Sequence, residues 1–259
     1  MKYAISREMM KNRFPSWTVE PWKLMGLVVY DTIAQVPDDA ILIASHYAPW
    51  WSPLKEWIAE GRPWIEIDYA YWGDKNTARR ITYNGYHNIH INSHPFSRSH
   101  LFPTPQVQDW RSSSTDEYVL GILPIESLLL QRTGEDLEKF KIRLSEQISQ
   151  YWDGPVKWRK KVGKSMFYTL QQDIKNAYAV VGERTMACVQ SCLLGTPAFT
   201  IDNSMTTLLM GGIENLKTVS YPDRQNWWEH ICWSQFHVKE FTTKTPAELT
   251  EYYQLGNCT

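Results

Sequence analysis

Residues 176–202, NAYAVVGERTMACVQSCLLGTPAFTID, constrain the fold more than any other stretch, because they read as one strand, one turn, one helix and a second strand. The apolar run 177–181 ends at Gly182. A helical pattern starting near Thr185 then carries Met186, Val189, Cys192 and Leu193 on one face until Gly195 stops it, and residues 197–201 form the next strand. The turn Gly182-Glu183-Arg184-Thr185 thus leads from a strand's carboxyl end into a helix's amino end. Unpaired backbone N–H groups and a partial positive charge there suit a phosphate or a carboxylate. Arg184 adds a charge-assisted donor, and the Thr185 hydroxyl either caps the helix or turns to a ligand. The plainer alternative stays open, in which Thr185 only caps and Glu183–Arg184 is a solvated pair.

At 259 residues the chain is long enough for one large α/β domain or two small ones. A formal net charge of −1 gives the whole molecule no preference for nucleic acid. The run 157–164, KWRKKVGK, is strongly basic and holds an aromatic, so it is either a local anion-binding patch or a solvated face. Thirteen Trp residues are too many to be all interior; the pairs Trp50–Trp51 and Trp227–Trp228 are candidates for exposed stacking platforms, while packing is the commoner outcome for any one such ring. The four Cys residues lack metal-ligand spacing, and Cys188 and Cys192 sit one helical turn apart, as core neighbours do. No signal peptide opens the sequence and no apolar run reaches about 18 residues, so a soluble protein in a reducing cytoplasm is expected, with no membrane partner.

Along the chain an amino-terminal α/β unit runs from Leu24 to about His94. Residues 24–36 begin as a strand and continue as a helix, 40–45 form a clearer strand, and Ser52-Pro53 opens a helix ending at Gly61. Residues 64–69 complete a βαβ unit with a parallel sheet. The Ser-, Pro- and His-rich segment 93–115 reads as a linker. A second unit follows, with strands at 117–123, 155–161, 177–181, 197–201 and 217–221 and a long helix over 134–152. From Pro222 onward the sequence is aromatic and helical, with Thr245-Pro246-Ala247-Glu248 opening the last helix. The expected organisation is an amino-terminal α/β unit over 1–112, a second α/β unit over 113–222, and a helical segment over 223–259 that packs back.

Ligands of open α/β sheets bind beyond the carboxyl ends of the strands. That rule selects His46, Asp68, Tyr71, Asp74, Ser127, Arg159, Lys160, Glu183, Arg184 and Asp202. Two of them suit a general base. Asp74 follows Tyr71-Trp72-Gly73, whose aromatics can raise its pKa, and His46 needs little tuning to work near neutral pH. Either can instead be a turn residue. His87, His90 and His94 are too loosely spaced for a good metal site, since only His90 and His94 share a strand face. The absence of a nucleophile elbow, a Walker loop and a GxGxxG disfavours hydrolase, P-loop kinase and nicotinamide dehydrogenase readings.

Three pieces of sequence bear a resemblance to a known family: IEIDYAYWGDK followed by ITYNGYHNIH, then VKWRKK, then YAVVGERTMACVQSCLLGTPAF with PDRQNWWEHICWSQF after it. Over residues 24 to about 241 the chain resembles GT-B-like glycosyltransferases, in particular small bacteriophage-encoded glycosyltransferase-like proteins. The resemblance implies an α/β fold of two Rossmann-like units with parallel sheets. It implies transfer of a sugar from a nucleotide-sugar donor, a UDP-sugar first, to a hydroxyl, without cofactor or metal. The donor side would comprise Arg159, Lys160, Gly182, Glu183, Arg184 and Thr185, and the acceptor side Tyr71, Trp72 and His87. Asp74 is the first choice of base and His46 the second. The phage context suggests a hydroxylated or hydroxymethylated DNA base as acceptor and the host cytoplasm as location. A GT-B-like enzyme acting on a small molecule or glycan, and a non-catalytic nucleotide-binding protein, remain alternatives.

Overall fold

A computed structural model describes residues 2–10, 16–45, 51–72, 77–85, 97–102, 107–111, 118–160 and 166–255. In chain order the elements are β1 (Lys2–Ser6), α1 (Arg7–Met10), α2 (Ser16–Leu24), β2 (Val28–Tyr30), β3 (Ala40–Ser45), α3 (Trp51–Ala59), β4 (Trp64–Tyr69) and β5 (Ala78–Tyr83). They continue with β6 (Tyr118–Ile122), α4 (Glu126–Thr133), α5 (Leu137–Ser149), β7 (Val156–Arg159), α6 (Met166–Ile174), β8 (Ala177–Gly182), α7 (Met186–Leu193), β9 (Ala198–Thr200), α8 (Thr207–Met210) and α9 (Gln225–Trp233). The chain closes with β10 (Gln235–His237), α10 (Val238–Thr243) and α11 (Pro246–Leu255). The protein is α/β and divides into two compact units, Met1–Arg98 with His230–Thr259, and Ser99–Glu229.

In the first unit a sheet runs in the order β10-β5-β4-β3-β1-β2. Its four strands β2, β1, β3 and β4 are parallel, because each crosses over before pairing. The strand period of two then sorts the apolar residues. Tyr3, Ile5, Ile41, Ile43, Ile65 and Ile67 point to one face, where Val19 and Trp22 of α2, Phe241 of α10 and Leu249 of α11 cover them. Ala4, Leu42, Ala44 and Trp64 point to the other, against Leu54 and Trp57 of α3. Burial on both faces explains why β3 reads as an unbroken apolar run. Gly61 ends the turn after α3 with a positive φ, and Arg62 lies 3.3 Å over the Trp57 ring while bonding the Val36 carbonyl.

The sheet is more mixed than an all-parallel reading allows. Strand β5 pairs with β4 antiparallel, setting Asp68 opposite Arg80, and β10 pairs antiparallel with β5. The segment after Pro222 is therefore not helical throughout, since Gln235–His237 supplies an edge strand. This strand has only three residues, too few to show a period in sequence. Residues 24–36 also differ from expectation: Leu24 ends α2, Val28–Tyr30 is a short strand and Ile33–Gln35 a single 3-10 turn.

The second unit holds a four-stranded sheet in the order β7-β6-β8-β9, every pair parallel. The helix expected over 134–152 is α5, and a further helix, α4, precedes it. Gly134 takes the left-handed conformation at φ 72° that ends α4, and the Asp136 carboxylate accepts the Lys139 N–H to start α5. Leu137, Phe140, Leu144 and Ile148 then form the buried stripe of α5. No strand forms at 217–221. Lys217 ends a 3-10 turn, the following residues are mostly exposed, and β9 takes only an isolated bridge from Thr200 to Gly212 on its outer edge. No helix among the described residues is long and apolar enough to cross a membrane.

The first unit depends on a buried ion pair. Arg98 is 3% exposed, donates to both Glu240 carboxylate oxygens at 3.0 and 2.9 Å, and reaches the carbonyls of Cys232 and Gln235. Replacing it with Met leaves Glu240 without its main counter-charge, which costs about 3–5 kcal/mol. Denaturant unfolding of Arg98→Met is expected to show a loss of that size, and the double variant with Glu240→Gln a smaller one.

Candidate functional site

In the second unit β6 and β8 are neighbours, yet the chain leaves β6 towards β7 on one side and β8 towards β9 on the other. Right-handed crossovers then carry α5 and α7 to opposite faces, which opens a crevice at the carboxyl ends of β6 and β8. Gly182 closes β8 at this point. A Cβ there would sit 2.6 Å from Cγ2 of Thr185 and 3.3 Å from Cβ of Ile122, so only glycine lets the turn fold this tightly against the end of β6.

Arg184 lies in the left-handed region at φ 45°, an uncommon conformation for a residue with a side chain, worth roughly 1 kcal/mol of strain. Asp202, just beyond β9, holds it there. Its Oδ1 accepts the Arg184 backbone N–H at 3.1 Å and its Oδ2 lies 3.7 Å from the Arg184 Nε. The Asp202 carbonyl is itself fixed by the hydroxyls of Thr200 and Thr207, both at 2.9 Å. The carboxylate is 17% exposed. Burial pushes its pKa up to about 6, against the lowering effect of the Arg184 N–H and guanidinium. Thr185 caps α7 by accepting the Ala187 N–H at 3.2 Å.

Beside this turn lies an open cavity of ≈ 530 Å³ lined by Thr133, Gly134, Glu135, Lys139, Arg143 and Glu183. Arg143 of α5 makes a two-pronged bond to Glu135, at 3.1 and 2.9 Å, and a third bond at 2.9 Å to Glu183 at the end of β8. The Glu135 bonds foremost, then those to Glu183, hold its guanidinium firmly charged against the opposing effect of burial. Two carboxylates and two cations therefore share one wall. That set can pair with anionic groups through Lys139 and Arg143 and accept hydroxyl hydrogens through Glu135 and Glu183.

Of the sequence-predicted donor residues, Gly182, Glu183, Arg184 and Thr185 form this turn together, and Glu183 lines the cavity. Arg159 pairs instead with Asp173 in the last turn of α6, and burial lowers its pKa. Lys160 is exposed directly after β7. On the acceptor side Tyr71 is fully buried, with Arg80 5.1 Å over its ring, and burial raises its hydroxyl well above the ordinary phenol range. The half-buried Trp72 donates its backbone N–H to Gln235 at 3.2 Å. His46, Asp74 and His87 lie outside the described residues, as do His90 and His94.

Of the two alternatives for the Trp227–Trp228 pair, packing holds: each residue is 2% exposed, and Trp227 donates its indole N–H to the Met205 carbonyl, so this pair is core and not a stacking platform. Three cavity residues were not singled out by sequence: Glu135, Lys139 and Arg143 sit on what reads as one ordinary amphipathic helix. The one local signal is Gly134 followed by Asp136, a helix stop and a helix start two residues apart.

No protein-family model matches the chain, and no curated protein matches it in sequence. Among solved structures it is similar to KpsC, a β-Kdo 2,4-transferase of Thermosulfurimonas dismutans, with a TM-score of 0.48 and 10% identity over 92% of each chain. A likeness at that level assigns neither substrate nor residues to this chain.

The Asp202 carboxyl has a clear stability signature. Because its pKa is higher in the folded state than the ordinary 3.8, the folded protein binds the extra proton between about pH 4 and pH 6. Stability therefore falls as pH rises through that window, and the ionised group costs on the order of 3 kcal/mol at neutral pH. Asp202→Asn keeps an acceptor for the Arg184 N–H and is expected to raise the melting temperature at pH 7.5, with a smaller difference at pH 4.5.

Proposed function

We propose that the protein is a glycosyltransferase whose second unit binds a nucleotide-sugar donor at the carboxyl ends of β6 and β8. The observation that carries this reading is the cavity beside the carboxyl end of β8, where Lys139 and Arg143 stand beside Glu135 and Glu183. A nucleotide sugar combines the two chemistries that this wall offers to meet, a diphosphate and several hydroxyls. Lys139 and Arg143 take the phosphate oxygens, with Arg184 and Lys160 as nearby reserve cations after β8 and β7. Glu135 and Glu183 accept hydroxyl hydrogens from the ribose or the sugar.

In such a transfer the bond from the anomeric carbon to the diphosphate breaks through an oxocarbenium-like state while charge builds on the leaving phosphate. Fixed cations that strengthen their bonds as that charge grows lower the barrier. Arg143 is fixed in this sense by its two glutamates before any ligand arrives. The acceptor hydroxyl gives up its proton to a base, Asp74 in the first instance and His46 in the second. A hydroxymethylated DNA base, a glycan and a small alcohol are the acceptor classes to compare.

The test is a thermal-shift and calorimetric screen with UDP, GDP and CMP sugars. One of them is expected to bind, and Arg143→Ala is expected to weaken that binding roughly 10- to 100-fold, as loss of a charge-assisted bond does. Asp74→Asn should leave donor affinity unchanged and abolish transfer. If no nucleotide sugar binds, the donor reading fails. If one binds and is neither transferred nor hydrolysed with any of the three acceptor classes, the enzymatic reading fails.

A further inference from the structure

We propose that Asp202 is a positioning residue for this site: by pinning Arg184 it fixes the turn between β8 and α7, and so holds Glu183 in the cavity wall in a manner that requires its negative charge. The inference rests on the donor-site reading for its functional half and on the geometry of the turn for its structural half.

Glu183 and Arg184 are consecutive, and Arg184 is left-handed, so any relaxation of Arg184 towards ordinary backbone angles swings the Glu183 side chain. The turn is gripped at two points only a residue apart. Arg143 holds Glu183 from the α5 side at 2.9 Å, and Asp202 holds Arg184 from the β9 side through both its backbone N–H and its Nε. The grip has a rigid base. The Ile201 N–H donates to the Gly182 carbonyl at 3.2 Å, and Thr200 and Thr207 fix the Asp202 carbonyl, so the backbone that carries the carboxylate is anchored on both sides.

A neutral amide or a protonated acid still accepts the Arg184 N–H, yet it loses the ionic attraction to the guanidinium. The carboxylate is thus the costlier of two side chains able to cap this turn, and the chain carries it beside the proposed ligand wall. The charged and titratable groups facing Asp202 are Glu183 and Arg184 from the turn and Cys188 from α7, with Arg143 of α5 acting through Glu183. Burial raises the Cys188 thiol well above its ordinary range, so it stays neutral where Asp202 titrates. Ionisation of Asp202 therefore adds the ionic half of this grip, and its loss leaves the N–H bond alone to hold the turn.

The experiment has two arms on the full chain. Without ligand, the backbone amides of Glu183 and Arg184 are followed by NMR from pH 5 to pH 8, in wild type and in Asp202→Asn. Both amides are expected to show an inflection near the Asp202 midpoint of about 6, and the variant none. In the second arm the nucleotide sugar found to bind is titrated at pH 7.5 and pH 5.0; its diphosphate diester does not change charge in that range. Wild-type affinity is expected to fall roughly tenfold at the lower pH, the size of a typical site-to-site coupling, while the variant binds weakly and equally at both. Absence of the amide inflection overturns the proposal, as does wild-type affinity that ignores pH or a variant that binds as tightly as wild type. If no nucleotide sugar binds at either pH, the donor-site reading is lost with its functional half, and the amide titration alone decides whether Asp202 governs the turn.

Discussion

Because β6 and β8 lie side by side and run the same way, neither can continue into its neighbour by a tight hairpin. Each has to leave the sheet at its carboxyl end, and their crossovers diverge to opposite faces. Everything of chemical interest in the second unit follows from that divergence. It leaves room for a cavity, it brings the start of α5 within reach of Glu183, and it makes Gly182 obligatory where Thr185 folds back against Ile122. A hairpin at this position would have satisfied the backbone locally and left nothing for a ligand.

The costs in the two units are distributed differently. In the first unit the buried charges are matched: Arg98 against Glu240, and Arg80 against Asp68 at 2.9 Å with Glu66 at 3.9 Å. In the second unit a left-handed arginine, a buried carboxylate with a raised pKa and a guanidinium shared between two glutamates lie within one turn of each other around the end of β8. Strain and desolvation gathered at the carboxyl end of a parallel strand are the pattern that motivates the proposed donor site. The same residues placed at the amino ends of the strands would be only a burden on stability.

Much of the fold was legible because burial on one or both strand faces writes itself into the sequence. The runs at Ala40–Ser45, Trp64–Tyr69 and Ala177–Gly182 are strands as read, and Thr185, Asp136 and Thr245 each cap the helix that follows. Less was legible where pairing alone makes the strand. In β1 only Tyr3, Ala4 and Ile5 are apolar, and β10 has three residues; both are strands because a neighbour offers an edge. The pair Trp227–Trp228 was legible only as two alternatives, since aromatic abundance says nothing of exposure and the Met205 carbonyl that takes the indole N–H is distant in sequence.

By itself the sequence determined the α/β class, most strand and helix starts, and the turn Gly182-Glu183-Arg184-Thr185 between β8 and α7, because each depends on neighbours within a few residues. Only the tertiary structure decided what surrounds that turn. Arg143 meets Glu183 across 40 residues and Asp202 meets Arg184 across 18, and which side chains converge there is set by strand order and crossover hand. A one-dimensional pattern records how a residue suits its own helix or strand; it does not record which strand will lie alongside, and the cavity is made of that second kind of information.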